Sequence, residues 1–106
     1  MQLLPREDAS ASDRVPVLDE FGVLWRGDDW VALSPIAARL VSAFLTAPGR
    51  VLDRRTLGRA GWPDGVPNER SVDSRIKVLR RRVAPLGVRI FTVRGHGYLA
   101  EFGVPR

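Results

Sequence analysis

The sequence predicts an α+β fold with a small N-terminal antiparallel sheet, three helices and a C-terminal β-hairpin. Short runs of β-branched and aromatic residues lie before Ser34 and are separated by glycine-containing turns. Two segments then follow in which apolar side chains recur at helical spacing, and a short segment with a helix cap lies between them. Residues 90–93 and 98–102 are strand-like, and Gly95 and Gly97 between them allow the positive φ angles of a tight hairpin turn.

The N-terminal part of the chain divides into an arm and a sheet. Residues 1–14 are polar and aperiodic, so we predict a flexible arm there and one folded domain at residues 15–106. The strand-like runs are at residues 15–17, 23–25 and 30–33. They predict a sheet of two to four strands, which Trp25 and Trp30 are expected to cover.

Helix caps mark where each helix begins. Ser34 is a good N-cap for a first helix that has Pro35 at its first position and ends before Pro48. Asp53 caps a short second helix at residues 54–60, and residues 51–52 before it suggest a short bridging strand. Trp62 is expected to fold back onto the core. Asn68 caps a third helix, predicted at residues 68–86.

The third helix has one apolar and one basic face. Its apolar stripe is Val72, Ile76, Leu79 and Val83. The opposite face carries Arg70, Ser74, Lys77 and Arg81, with Val78 beside them, and Arg75 and Arg82 flank it. Such a helix fits the DNA major groove, although a solvated amphipathic helix has the same pattern. Asp73 lies four residues before Lys77, so we predict a salt bridge between them.

Charge and composition exclude several classes of protein. Residues 1–34 hold seven acidic and three basic residues, whereas residues 35–106 hold five acidic and fourteen basic residues. This asymmetry indicates a polyanionic partner. There is no cysteine, His96 is the only histidine, and no phosphate loop or nucleophile–base pair is present, so we expect no enzyme, no metal and no cofactor. Without a signal segment or an apolar span, we expect a cytoplasmic protein with no membrane partner.

The order of elements is that of a winged helix-turn-helix, in which the hairpin is the wing. Residues 15–102 resemble the DNA-binding output domain of OmpR/PhoB-type response regulators. The motifs that carry the resemblance are PGRVLDRRTL, RSVDSRIKVLRRRV and FTVRGHGYLAE. The resemblance implies sequence-specific binding to double-stranded DNA for transcription regulation, with the third helix in the major groove and the wing, residues 90–102, at the minor groove.

The resemblance also implies which residues make contacts. The implied helix contacts are Arg70, Ser71, Ser74, Arg75, Lys77, Val78 and Arg80. Arg81 is added to these contacts because helical periodicity places it on the same basic face. The implied wing contacts are Thr92, Arg94 and Tyr98. The loop implied to touch RNA polymerase comprises Pro63, Asp64, Gly65, Val66 and Pro67. From the residues themselves, two interpretations stay open for Arg80, a pairing on the Asp73 side of the helix or a contact with a phosphate. Two also stay open for Val78, a packing residue or, since it points to the groove side, a contact with a thymine methyl group.

Three features depart from the family pattern. Ala37 stands where a glutamate usually completes the capping box of the first helix. Lys77 and Val78 stand where two arginines are common. No receiver domain precedes the first strand, so we expect a stand-alone regulator or a fragment of a longer protein, monomeric in solution and able to lie in tandem on direct repeats. The alternative function is a winged-helix module that docks on RNA polymerase or another protein without binding specific DNA.

Overall fold

The computed structural model describes residues 15–65 and 67–103, and the predicted arm at residues 1–14 lies outside them. The elements in chain order are β1 (Val17–Leu18), β2 (Val23–Arg26), β3 (Asp29–Ala32), α1 (Pro35–Thr46), β4 (Val51–Leu52), α2 (Arg54–Gly61), α3 (Glu69–Val83), a 3₁₀ turn (Ala84–Leu86), β5 (Val88–Val93) and β6 (Gly97–Phe102). This order confirms the predicted α+β winged helix-turn-helix. Within the described ranges, no helix has the length and apolar composition needed to cross a membrane.

The strands form two separate antiparallel sheets. The N-terminal sheet has the order β1-β2-β3, and the wing sheet has the order β4-β6-β5. The predicted bridging strand is real, because Val51 pairs with Leu99 and Leu52 pairs with Tyr98. The wing is therefore a three-stranded sheet whose third strand comes from the segment before α2.

One hydrophobic core joins the helices to both sheets. The predicted stripe of α3 is buried throughout, and it packs with Leu40 and Phe44 of α1 and Leu57 of α2. Leu24 enters this core from the N-terminal sheet, and Ile90 enters it from the wing sheet. Trp62 is half-buried and packs against the same core, as its position after α2 predicted.

Side-chain caps begin all three α-helices. The Ser34 Oγ accepts from the Ala37 N–H at 3.2 Å, so the cap forms without the glutamate of a full capping box. The Asp53 carboxylate accepts from the Thr56 N–H at 2.7 Å, and this hydrogen bond lowers the pKa of Asp53. The Asn68 side chain accepts from the Ser71 N–H at 2.9 Å and fixes the start of α3.

The third helix ends earlier than predicted. The α-helix stops at Val83, and the chain continues as a 3₁₀ turn over residues 84–86, because Pro85 has no N–H to donate to the preceding turn. Gly87 follows at a φ of 76°, in the left-handed region that favours glycine. The chain then enters β5 at Val88, two residues before the predicted strand start at Ile90.

Two arginines attach the N-terminal sheet to the C-terminal part of the molecule. Arg26 is only 3% exposed, and its guanidinium donates to the Leu86 carbonyl at 2.7 Å and to the Phe102 carbonyl at 3.0 Å. Arg82 donates twice to the Ala32 carbonyl, at 3.2 and 3.0 Å. The sheet therefore has a fixed position relative to the end of α3.

Candidate nucleic-acid interface

The side of α3 that faces away from the core is the predicted basic surface. Its exposed residues are Arg70, Ser74, Lys77, Val78 and Arg81, and the half-buried Ser71 and Arg75 border them. We call these seven residues the α3 outer face. In the described part of the chain, the one ion pair within 4.0 Å is Arg54–Asp73, so no described carboxylate neutralises the cations of this face at contact distance.

Two hollows flank the centre of the α3 outer face. The larger has a volume of about 620 Å³ and lies between the N-terminal half of α3 and the loop that carries Trp62 and Pro67. The smaller, of about 280 Å³, lies between α3 and the end of the N-terminal sheet at Ala32. Arg75 and Val78 line both hollows and so form the ridge between them.

The wing tip presents Arg94 to solvent. Val93 pairs with Gly97 across the hairpin, and the His96 N–H donates to the Val93 carbonyl at 2.9 Å. Gly95 has a φ of 79° and Gly97 a φ of 143°, as the predicted tight turn requires. A Cβ on Gly97 would lie 2.1 Å from the Leu52 carbonyl oxygen, so only glycine fits at this position.

The predicted pairing of Asp73 with Lys77 is wrong. One carboxylate oxygen of Asp73 accepts from the Arg54 Nε at 2.8 Å and from the Tyr98 hydroxyl at 2.5 Å. These donors lie on α2 and β6, so tertiary contacts outcompete the exposed pair along the helix. Partial burial raises the pKa of Asp73, but the two hydrogen bonds outweigh it and the pKa is lowered overall. Burial, followed by the bond to Asp73, raises the pKa of Tyr98.

Tyr98 differs from the other implied wing contacts. It is 5% exposed, its hydroxyl is engaged by Asp73, and the Arg54 guanidinium lies 5.8 Å from its ring centroid. Thr92 and Arg94 are exposed. The arrangement makes Tyr98 a residue that fixes β6 against α3, rather than one whose hydroxyl points outward.

Arg80 connects α3 to the other strand of the wing. Its Nε donates to the Ile90 carbonyl at 2.7 Å, and its Nη2 donates to the Thr92 hydroxyl at 3.0 Å. Arg80 lies about two helical turns after Asp73, on a similar side of the helix. The two residues therefore hold β5 and β6 at separate points along α3. Arg80 was predicted as a contact residue, and its half-buried guanidinium already has two partners within the protein.

The loop between α2 and α3 lies at the rim of the larger hollow. Pro63, Asp64, Gly65 and Pro67 are exposed, and Val66 lies outside the described residues. The Gly65 N–H donates to the Trp62 carbonyl at 2.9 Å, which folds the loop back onto the end of α2. Another hollow of about 380 Å³, with Arg55 and Arg59 in its lining, adjoins this loop.

Sequence reasoning missed the part played by Arg54. It begins α2 and is separated from Asp73 by 19 positions, and Tyr98 lies 25 positions beyond Asp73. Helical periodicity relates only residues three or four apart, so it carries no signal for this cluster. In the described ranges, no group of histidine and acidic side chains is arranged to hold a metal ion.

Three helices with a capped, basic third helix and a C-terminal hairpin packed beside it define a winged helix-turn-helix protein. Residues 27–100 match the family model described as the C-terminal domain of transcriptional regulatory proteins. The chain belongs to this family, the OmpR/PhoB-type DNA-binding domains of transcription regulators. The family is therefore one of regulators and not of enzymes.

Known proteins of this family resemble the chain in sequence and structure. The transcriptional regulatory protein CseB of Streptomyces avermitilis is 36% identical over 102 residues, a match that covers 89% of this chain and 43% of CseB. The chain thus spans less than half the length of this relative. The C-terminal domain of the nisin resistance regulator NsrR superposes with a TM-score of 0.70 at 31% identity, covering 79% of this chain and 89% of that one. The Klebsiella pneumoniae RstA DNA-binding domain, solved in complex with the RstA box, gives a TM-score of 0.66 at 28% identity, with coverages of 81% and 90%.

Proposed function

We propose that the chain is a sequence-specific regulator that binds double-stranded DNA through the α3 outer face and the wing tip. The observation that supports this proposal is that side-chain contacts join the wing to α3 as one unit. Asp73 and Arg80 hold both strands of the hairpin against α3, while the outer face of that helix keeps its cations unpaired in the described structure. A rigid helix–wing unit with free positive charge suits simultaneous contact with two adjacent grooves.

Each group of residues has a distinct part in this proposal. Arg70, Arg75, Lys77 and Arg81 meet phosphates or guanine edges, and Ser71 and Ser74 supply short hydroxyl contacts. Arg94 enters the minor groove, whose negative potential is strongest at A·T-rich sites. Tyr98 and Arg80 hold the unit together. The RstA domain, a relative of the same fold, was solved with its DNA site, and this supports the assignment by similarity.

Binding should depend strongly on salt. Five cations face outward on α3 and the wing tip: Arg70, Arg75, Lys77, Arg81 and Arg94. If on the order of five phosphates are neutralised, log affinity falls with log salt concentration at a slope of about −4 to −5. Fluorescence anisotropy with a selected duplex and a scrambled duplex, at several salt concentrations, measures this slope. Equal affinity for both duplexes, or a flat salt response, would contradict the proposal and favour a protein-docking module.

We also propose that the loop at residues 63–67 contacts RNA polymerase when the protein is bound upstream of a promoter. Its exposed Asp64, which lies between the exposed Pro63 and Pro67, is available to a basic partner. Asp64→Ala should leave DNA affinity unchanged and lower transcription from a promoter that the protein activates. In vitro transcription with purified polymerase makes the comparison. Unchanged transcription by the variant, with DNA binding intact, would contradict the proposed contact between this loop and RNA polymerase.

The proposed form in solution is a monomer that can occupy adjacent half-sites in tandem. The described core leaves the helices without a long apolar stripe at the surface, so α-helical dimerisation has no basis there. Sedimentation at micromolar concentration should give the mass of one chain, and a duplex with two direct repeats should bind two chains. A tight dimer without DNA would contradict this proposal.

A further inference from the structure

Val78 is an exposed apolar side chain at the centre of a polar helix face. It is 59% exposed and takes no part in the buried stripe of α3. A β-branched residue at an exposed helical position also lowers helix propensity slightly, so Val78 brings no advantage to stability. Its position on the ridge between the two hollows makes it a prominent feature of the α3 outer face.

The neighbours of Val78 on the α3 outer face are polar or cationic, unlike Val78 itself. Ser74 lies one turn before it, Arg75 shares the ridge with it, and Arg81 lies one turn after it. Each of these side chains can hydrogen-bond to phosphates or base edges, whereas an isopropyl group can do neither. Among the four bases, thymine alone presents a methyl group to the major groove, and contact with that methyl is how an apolar side chain distinguishes it.

We infer that Val78 is a specificity-determining residue, which packs against the 5-methyl group of one thymine in the operator. The inference rests on the proposed function, since it requires α3 to lie in the major groove. The hydroxyl and cationic neighbours hold the helix in place, and Val78 adds preference at one base pair. A substituent of the same shape, such as the methyl group of 5-methylcytosine, meets the same contact.

The test removes the 5-methyl group of thymine and, separately, the two γ-methyl groups of Val78. Operators are first selected from random duplexes with the purified protein, and each thymine in the selected site is then replaced singly by 2′-deoxyuridine, which keeps its base pair. At one position the replacement should weaken wild-type binding by about fourfold, the effect of one buried methyl group. Val78→Ala should bind the unmodified operator more weakly and should lose the deoxyuridine penalty at that position only.

A matched control separates this contact from a general effect of truncating valine. Val17 is also an exposed valine, at 64%, but it lies on β1 in the N-terminal sheet. Val17→Ala should retain every deoxyuridine penalty of the wild type. If Val78→Ala also retains them all, Val78 does not read a thymine methyl and the inference is overturned while the proposed function stands. If selection enriches no sequence, the proposed function and this inference both fail.

Discussion

The two sheets contact one core, yet they are attached to the rest of the domain by different chemistry. The N-terminal sheet is fixed by Arg26 and Arg82, whose guanidinium groups donate only to backbone carbonyls in the contacts described above. The wing sheet is fixed through the side chains of Tyr98 and Thr92, which meet Asp73 and Arg80 of α3, and also through the Ile90 carbonyl, which accepts from Arg80. The attachment of the wing sheet contains two groups that titrate, Asp73 and Tyr98.

The difference in attachment matches a difference in exposed surface. The N-terminal sheet turns Val17, Trp25 and Trp30 outward in one cross-strand row, and the Asp19 carboxylate accepts from the Trp25 indole N–H at 3.0 Å. The wing sheet turns Thr92 and Arg94 outward. One sheet therefore stabilises the domain, and the other also sets where a cation lies relative to α3. Changes in the two sheets should separate stability from DNA binding.

The largest expected effect is on the base of the wing. Gly97→Ala places a Cβ 2.1 Å from the Leu52 carbonyl oxygen and 2.8 Å from the Asp53 Cα, at a positive φ. The β4–β6 contact has to open, and the free energy of unfolding should fall by about 3–5 kcal/mol. Urea unfolding followed by circular dichroism measures the change.

Gly95→Ala is the matched control at the wing tip. Gly95 also has a positive φ, of 79°, but a Cβ there meets no atom within 4 Å. Only the backbone conformation is strained, and the cost should be about 1–2 kcal/mol. Equal losses for the two variants would show that the close approach at Gly97 is not what constrains the hairpin.

The next largest effect is expected in the N-terminal sheet. Arg26→Met keeps the buried aliphatic stem but leaves the Leu86 and Phe102 carbonyls without their charged donor, so unfolding should require about 2–4 kcal/mol less free energy. At temperatures where the variant is folded, its affinity for DNA should match the wild type. Arg39→Met is the control, because the exposed Arg39 makes a single 3.3 Å bond to the Gly61 carbonyl. A loss of DNA specificity in Arg26→Met would contradict the division of roles, in which the N-terminal sheet contributes stability and the wing sheet contributes to DNA binding.

At the wing tip we expect the opposite result, a loss of DNA affinity without a loss of stability. Arg94→Ala should leave stability unchanged and weaken DNA binding by about 1–3 kcal/mol, mostly at sites with A·T-rich flanks, with a salt slope smaller by about one charge. Arg89→Ala removes the same charge from the same strand pair, where Arg89 lies 5.5 Å from the Phe91 ring centroid. It should weaken binding less. Wild-type affinity of Arg94→Ala on every duplex would exclude the wing from DNA reading.

The smallest expected effect is that of Tyr98→Phe, which tests the titratable hydrogen bond between Asp73 of α3 and the wing. Tyr98→Phe removes the hydroxyl that donates to Asp73, and the protein should lose about 1 kcal/mol of stability at neutral pH. The pKa of Asp73 is lowered from 3.8 in the folded state, so its contribution is present above that value and is lost as the pH falls through the lower folded pKa. The stability difference between the variant and the wild type should therefore shrink below about pH 3.8.

At alkaline pH the stabilising contribution of this hydrogen bond is lost in the other direction, as the pH rises. The pKa of Tyr98 is raised from 10.0 in the folded state, so its contribution is complete below pH 10 and is lost as the pH rises through the higher folded pKa. Thermal unfolding across both pH ranges measures the two limits. A stability difference that is constant from acid to alkali would contradict a titratable link between α3 and the wing.

Local sequence signals were sufficient for most of the fold. The caps Ser34, Asp53 and Asn68 lie where each helix begins, and they act on N–H groups three residues away. The buried stripe of α3 follows directly from helical periodicity. The short strand at residues 51–52 and the strand at residues 98–102 were also visible, although their pairing was not.

The connections between elements were beyond sequence reasoning. Arg26 counts as a surface charge in the sequence, but it is buried by carbonyl partners that lie 60 and 76 positions away. Asp73 had an acceptable partner at helical spacing in Lys77, and the choice of Arg54 and Tyr98 depends on how three elements pack. Such pairings are decided by the tertiary fold, which no local pattern encodes.

The close contact between Gly97 and β4 determines which part of the hairpin can be replaced. Because the Leu52 carbonyl lies against it, the foot of the hairpin allows neither a larger residue nor a shift in strand register. The three residues of the tip, Arg94, Gly95 and His96, are exposed, and a Cβ on Gly95 would meet no atom within 4 Å. Steric constraint is thus concentrated at Gly97, and the tip can accept other residues. If the wing reads the minor groove as proposed, grafting the tip of another regulator between Val93 and Gly97 should transfer that regulator's minor-groove preference and leave the rest of the domain unchanged.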